Sequence, residues 1–187
     1  MAYNITMVVY TKRGDRGETG LFSPNPLKKR RISKASLRIA AIGAIDEANS
    51  FLGVVSAFSK SKALKREVEE IQRDLFTIGA ILAGVKLRLD PGRVKVFEER
   101  IDKLQAKLPV SNNFIVPDGG KAGSLLHYAR TQVRKAERTV VTLNNKQKVD
   151  SKVLVYLNRL SDFLFMLARE SNYKEKKKEK YWVGKKA

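Results

Sequence analysis

Over most of its length, the chain places apolar residues at helical spacing. From Leu37 to Phe58 it is rich in Ala, Ile, Val and Leu, which predicts a helix buried on more than one side. Leu64, Val68, Ile71, Leu75, Ile78 and Leu82 then alternate steps of four and three, a single apolar stripe. Val94, Phe97, Ile101, Leu104 and Leu108 form another, stopped by Pro109, with Asp90 and Pro91 as N-cap and first helical residue. Residues 109–120, PVSNNFIVPDGG, read as a loop. The next stripe is Leu126, Ala129, Val133, Ala136, Val140 and Leu143, broken by Asn144 and Asn145, and the last is Val153, Leu157, Leu160, Leu164 and Leu167. Residues 1–36 read as irregular, with at most a short strand near Ile5 to Tyr10, since Pro24 and Pro26 oppose a helix. The expected fold is all-α: a five-helix bundle with an irregular glycine-rich N-terminal arm. No repeat or linker divides it, so one domain over 1–187 is expected: arm 1–36, bundle 37–172, tail 173–187.

Composition narrows the setting. Without cysteine there are no disulfides, thiolate metal sites or cysteine nucleophiles, and a reducing cytoplasm suits the chain. A single histidine, His127, excludes multi-histidine metal centres within one chain. No secretory signal is expected, nor an apolar run of the roughly 18 residues a membrane span needs, so no membrane partner is expected. The net charge is +19, from 38 basic and 19 acidic residues, and such a surface attracts polyanions. Leu27 to Arg38 holds six basic residues and no acid; Lys174 to Ala187 holds seven lysines and two glutamates, and that run reads as a solvated end.

Some polar residues do not suit a plain bundle. His127, Arg130, Arg134 and Glu137 share one face of the fourth helix beside its apolar stripe. Two guanidinium groups and a carboxylate there could grip phosphates and a magnesium ion. On spacing alone a surface ladder of ion pairs is the commoner outcome. Asp46 and Asn49 interrupt the apolar first helix between Gly43 and Gly53; either they are buried with a partner or that face meets solvent. Asn158 lies beside Leu157, with Asp162 one turn on. At the N-terminus, YTKRGDRGETGLF spans 10–22, with Gly14, Gly17 and Gly20 at period three. It is not a Walker P-loop, because Lys12 precedes the glycines. Glycines with Thr11, Thr19 and Lys12 can still form an anion nest, and a turn-rich arm is the plainer alternative.

Five segments in order resemble the PduO-type ATP:cob(I)alamin adenosyltransferases over about residues 10–172. They are Thr-Lys-x-Gly-Asp-x-Gly-x-Thr (Thr11, Lys12, Gly14, Asp15, Gly17, Thr19), AIDEANSFLG at 44–53, FIVPDGG at 114–120, ARTQVRKAERTVV at 129–141 and YLNRLSDFLFMLAR at 156–169. The resemblance implies transfer of the 5′-deoxyadenosyl group of ATP to the Co(I) of a reduced corrinoid, giving adenosylcobalamin and triphosphate. It also implies a homotrimer of five-helix bundles with each active site between two subunits. By residue match, Thr11, Lys12, Arg13, Gly14, Thr19, Gly20, Lys34, Arg134, Lys135, Glu137, Arg138 and Asn158 contact ATP, and Glu137 lies near magnesium. Asp46 pairs across subunits with Arg130, and Phe114 packs against cobalamin and displaces its lower ligand. Arg130, Arg134, Asp46 and Phe114 are thus the expected catalytic set. ATP, Mg2+ and cobalamin are the expected ligands; a reductase and a B12-dependent acceptor enzyme are the further partners. Asp118 stands where the family usually has glycine. Lys135 stands where arginine is frequent, keeping the charge but losing the planar fork. The rival reading, from the +19 charge and basic tail, is a non-enzymatic helical nucleic-acid-binding protein, although no nucleic-acid motif supports it. A second rival is an anion-binding structural trimer without activity.

Overall fold

The computed structural model describes residues 10–23, 25, 31–111 and 113–184. Five helices carry the fold: α1 Leu37–Phe58, α2 Lys62–Leu82, α3 Gly92–Lys107, α4 Lys121–Asn144 and α5 Ser151–Lys174. The expected strand near Ile5 lies outside the described residues, as do Pro24, Pro26 and residues 27–30 of the basic run. The arm is not wholly irregular: β1 Glu18–Gly20 pairs antiparallel with β2 Arg31–Ser33, Thr19 opposite Ile32. Strands of three residues are too short for an alternating pattern to reveal them.

The helix ends follow from local chemistry. Ser36 Oγ accepts from Ile39 N, Ser61 Oγ from Leu64 N, and Asp150 Oδ1 from Lys152 N, each meeting an orphan N–H. Asp90 Oδ1 accepts from Gly92 N at 2.8 Å, so it does stabilise the start of α3; the helix begins one residue later than expected, after Pro91. α4 starts at Gly120 with no capping side chain of its own. The missing acceptor comes from α5: Asn172 Oδ1 takes the Gly120 N–H at 3.1 Å, while Asn172 Nδ2 donates to Asp118 O at 2.9 Å. A Cβ at Gly119, Gly120 or Gly123 would collide with Asn172 or Glu175, and Gly119 also has φ +139°. The glycines thus let the start of α4 meet the end of α5.

α1 lies against α2 and α4, α4 against α5, and α5 against α3. The six stripe residues of α2, six of α4 and five of α5 are all buried, and truncating such a leucine to alanine costs about 2–5 kcal/mol. In α3, Phe97 and Leu104 are buried, whereas Val94 and Ile101 only flank the core. Ion pairs close α3 back on α2: Arg93 to Asp74 at 2.7 Å and Arg100 to Glu67 at 3.0 Å. Contrary to the sequence expectation, α1 is long and apolar enough by composition to cross a membrane, with mean hydropathy 1.3 over an 18-residue stretch. In the fold it is a bundle helix, with Ala41, Ala44, Ile45, Ala48, Leu52 and Val55 buried.

The described lysines of the tail are exposed, as a solvated end implies, but the segment is not free: residues 179–182 fold back on the loop before α4. Tyr181 forms an antiparallel bridge with Ile115, Val116 N donates to Lys180 O and Trp182 N to Phe114 O, both at 2.8 Å. The cause is one acid in the charge run: Glu179 receives Arg169 Nε at 2.7 Å, and both side chains are largely buried. Residues 185–187 lie outside the described residues.

Gly123→Ala should lower stability by about 1–3 kcal/mol, because the added methyl overlaps the Asn172 amide. The midpoint of thermal unfolding followed by circular dichroism should fall by several degrees; an unchanged midpoint would contradict the close α4–α5 junction.

Candidate functional site

The expected site residues fall into two groups on different parts of the chain. The first is the arm. Lys12 has left-handed backbone (φ 56°), rare for a residue with a side chain and a frequent mark of functional strain. Gly17 has φ 75°, where glycine costs nothing, and its carbonyl accepts from Lys34 N at 2.8 Å. Lys34 Nζ reaches Gly14 O at 2.9 Å, and a Cβ at Gly14 would sit 3.1 Å from that nitrogen. Arg31 pairs with Glu18 at 3.0 Å and donates to Arg13 O. The loop is thus tied down over β2. Thr11, Arg13, Gly14, Thr19, Gly20 and Lys34 line a cavity of about 850 Å³ there. Lys12 is not among its lining residues. A neighbouring cavity of about 650 Å³ shares Thr19, Gly20 and Lys34 and extends to Asp46 and Asn49 on α1.

The second group lies on the polar face of α4. The expected ladder of ion pairs is not formed. Arg134 is exposed and has no ion pair among the described residues. Arg130 is half-buried, its Nε has no acceptor, and burial together with the Arg134 charge pulls its pKa down. Glu137 instead accepts from Asn158 Nδ2 at 3.0 Å. Lys135 pairs with Glu47 of α1 at 2.6 Å, so its charge is spent within the chain, while Arg138 is exposed. Two like-charged guanidinium groups one turn apart, neither in an ion pair among the described residues, are stabilised where an anion joins them. They line a cavity of about 870 Å³ with Phe114, Ile115, Arg159 and Asp162. Phe114 is 80% exposed at its edge, its ring 6.5 Å from that of Trp182.

Asp46 is exposed in the single chain and has no ion pair among the described residues. It does not share a cavity with Arg130 in this chain: Asp46 lies beside the arm and Arg130 beside Phe114. Asn49 is buried with its Oδ1 unmet. No group of three His, Asp or Glu residues suited to a metal is present among the described residues. Sequence reasoning missed Asn172, Arg169 and the strap 179–182. The polar run Arg169, Glu170, Asn172 inside an apolar stripe was the signal available for the first two; Tyr181–Trp182–Val183 in a lysine tail was the signal for the strap.

The family described as cobalamin adenosyltransferase matches residues 9–171. A corrinoid adenosyltransferase of Bacillus subtilis (strain 168) is 43% identical over 174 residues, covering 89% of this chain and 87% of the relative. The corrinoid adenosyltransferase MMAB of Homo sapiens is 35% identical over 187 residues, covering 94% of this chain and 73% of the relative. Among solved structures, a variant PduO-type ATP:corrinoid adenosyltransferase from Lactobacillus reuteri, complexed with cobalamin and ATP, superposes with TM-score 0.87 at 34% identity, covering 95% of this chain and all of that one. A further variant of the enzyme from that organism, complexed with ATP, superposes with TM-score 0.86 at 35% identity, covering 94% of this chain and 100% of that one.

His127, 2% exposed with neither ring nitrogen partnered, has its pKa lowered from 6.5, first by burial and then by Arg130. The unfolded chain therefore takes up this proton at a higher pH than the folded one. Stability is full above about pH 6.5 and falls as the pH drops towards the folded value. Urea midpoints measured from pH 7 to pH 5 should decline for the wild type and run flatter for His127→Gln; parallel curves would contradict the assignment. Asp118 and Glu170, whose pKa values are also lowered, lose their contribution only at more acidic pH.

Proposed function

The chain belongs to the cobalamin adenosyltransferase family, and from that premise we propose that its two groups of residues are the halves of one ATP:corrinoid site completed by a neighbouring copy. The reaction moves the 5′-deoxyadenosyl group of ATP to the Co(I) of a reduced corrinoid. The cobalt lone pair forms the Co–C5′ bond, the C5′–O bond breaks, and triphosphate leaves with that electron pair. The nucleophile comes with the substrate, so no protein base or covalent intermediate is needed. The protein contributes position and charge.

The observation that carries the reading is the Arg130–Arg134 pair, two guanidinium groups with no ion pair among the described residues, in a cavity that Phe114 borders and that Glu98, Asp102 and Asp162 also line. In this reading Arg134 and Arg138 on α4, with Lys12, Arg13 and Lys34 of the arm, neutralise the triphosphate. Thr11 and Thr19 add hydroxyl donors, and Gly14 and Gly20 allow close approach of the backbone. Glu137, oriented by Asn158, would hold Mg2+ in the usual way, one carboxylate plus phosphate oxygens. The ion's chemistry there is charge neutralisation of the leaving group. Lys135, held by Glu47, contributes at most a point charge. Phe114 covers the lower face of the corrin and keeps its axial base away, which makes Co(II) easier to reduce.

The homotrimer belongs to the same proposal. Asp46 and Arg130 each lack an ion pair among the described residues and lie at different cavities, which supports pairing between copies. A single domain in a cytoplasmic setting, supplied by a reductase and serving a B12-dependent acceptor enzyme, completes the reading. The nucleic-acid alternative gains no support from these relatives.

The direct test is absorbance detection of adenosylcobalamin formed from ATP, Mg2+ and chemically reduced cobalamin. Arg134→Ala should lower kcat/KM by about 2 kcal/mol or more, roughly 30-fold, with the helical spectrum unchanged; near-normal kcat/KM would remove Arg134 from the site. Asp46→Asn should reduce activity and weaken the trimer in sedimentation velocity; an intact, fully active trimer would exclude the Asp46–Arg130 pairing. Phe114→Ala should leave ATP affinity almost unchanged. Its turnover should fall steeply from Co(II) with a mild reductant and largely return with Co(I) made beforehand. Equal losses from both cobalt states would sink this role.

A further inference from the structure

The folded-back tail is a strongly charged segment that this function leaves unused. After α5, Lys176 takes left-handed backbone (φ 53°) and the chain reverses, with Lys177 N donating to Asn172 O at 2.8 Å. Glu179 then meets Arg169 through two hydrogen bonds, and Arg169 Nη2 also donates to Pro109 O at 2.7 Å. The next three residues run antiparallel to Phe114–Val116 and bond to it on both sides of Ile115. Lys180 Nζ donates to the Asp118 carboxylate, whose other oxygen takes the Gly119 N–H at 2.7 Å. Asp118 is the loop side chain that the tail reaches. Here it gives the loop a handle that the tail can hold.

Phe114 sits on a loop without a helix or sheet of its own, and its ring is exposed. A free loop would spread that ring over many positions, and fixing it during catalysis would cost conformational entropy. The strap removes that freedom beforehand. We propose that residues 179–182 position Phe114: Glu179, acting through Arg169, and Lys180, acting through Asp118, hold its loop where the ring keeps the lower ligand off cobalt. The inference rests on the role given to Phe114 above. These are positioning residues, and they need not touch the corrin. Their weights differ. The Arg169–Glu179 pair is largely buried, so its loss strands a buried charge. The Lys180–Asp118 pair is exposed, so it contributes less and is screened by salt.

The test combines amide hydrogen exchange with the spectrum of four-coordinate Co(II) in the ATP-bound enzyme. In Glu179→Gln, exchange at the Val116 and Trp182 amides should rise by about tenfold or more while α1 and α2 keep their protection. The four-coordinate fraction should fall, with KM for ATP almost unchanged and much of the rate restored by preformed Co(I). Lys180→Ala should show a smaller effect that grows less distinct from wild type at high salt, and combining Asp118→Lys with Lys180→Asp should reverse it. Unchanged exchange in Glu179→Gln would overturn the strap. A four-coordinate signal lost in Phe114→Ala but kept in Glu179→Gln would overturn the positioning alone. A signal kept in Phe114→Ala would overturn the Phe114 role and this inference with it.

Discussion

The Asn172 side chain is the constraint from which the rest of the structure follows. It is 2% exposed, and its amide meets one backbone donor and one backbone acceptor at the start of α4. Losing it would leave the buried Gly120 N–H without a partner, at about 1–3 kcal/mol, and the part-buried Asp118 carbonyl open to water at a smaller cost. The amide can reach both only because Gly119 and Gly123 carry no Cβ, while a Cβ at Gly120 would collide with Glu175. The junction then sets how α4 lies on α5, and so where its polar face emerges. It also fixes the end of the loop that carries Phe114. One close contact thus positions both the arginine pair and the aromatic ring beside the same cavity.

A second network holds the other end of that loop. Asp74 on α2 accepts from the Tyr156 hydroxyl at 2.9 Å and from Arg93 at 2.7 Å, joining α2, α3 and α5. Burial, with Asp74 adding to it, pushes Tyr156 ionisation well above 10, so the hydroxyl stays a donor. Arg93 lies over the Phe97 ring, which stacks on Phe163 at 4.7 Å. Arg100 bridges Glu67 and Glu170. Such partly buried groups must be satisfied together, so they specify one placement of α3. From α3 the chain passes directly through Pro109 to Phe114.

The charge of the chain makes sense at this level. Many surface cations are solvated, but within the single chain Arg130 and Arg134 are set side by side with no ion pair among the described residues, a repulsion that the fold tolerates. A group of that kind binds a polyanion more strongly than dispersed lysines do, because the substrate relieves a cost already present in the free protein. Leaving the nucleophile to cobalt explains why a chain with one histidine and no cysteine can carry out alkyl transfer.

The amino-acid sequence by itself determined the helices, because each one buries a continuous stripe at its own local period and carries its own stop signals. α1 spans the predicted Leu37–Phe58, and every residue of the α2, α4 and α5 stripes is buried. The five segments in order were enough to identify the family, since they record chemistry rather than packing. What periodicity could not contain were contacts between residues distant in the chain. Glu179 looks like one acid in a lysine run until Arg169, ten residues away, is seen beneath it. The β1–β2 pairing, the capping of α4 by Asn172 from 52 residues away and the exposure of Asp46 belong to the same class. So does the choice between an ion-pair ladder and an unpaired arginine cluster on α4. Helical spacing places those side chains on one face, but only the tertiary structure decides whether a carboxylate pairs with them, and among the described residues none forms an ion pair with Arg130 or Arg134.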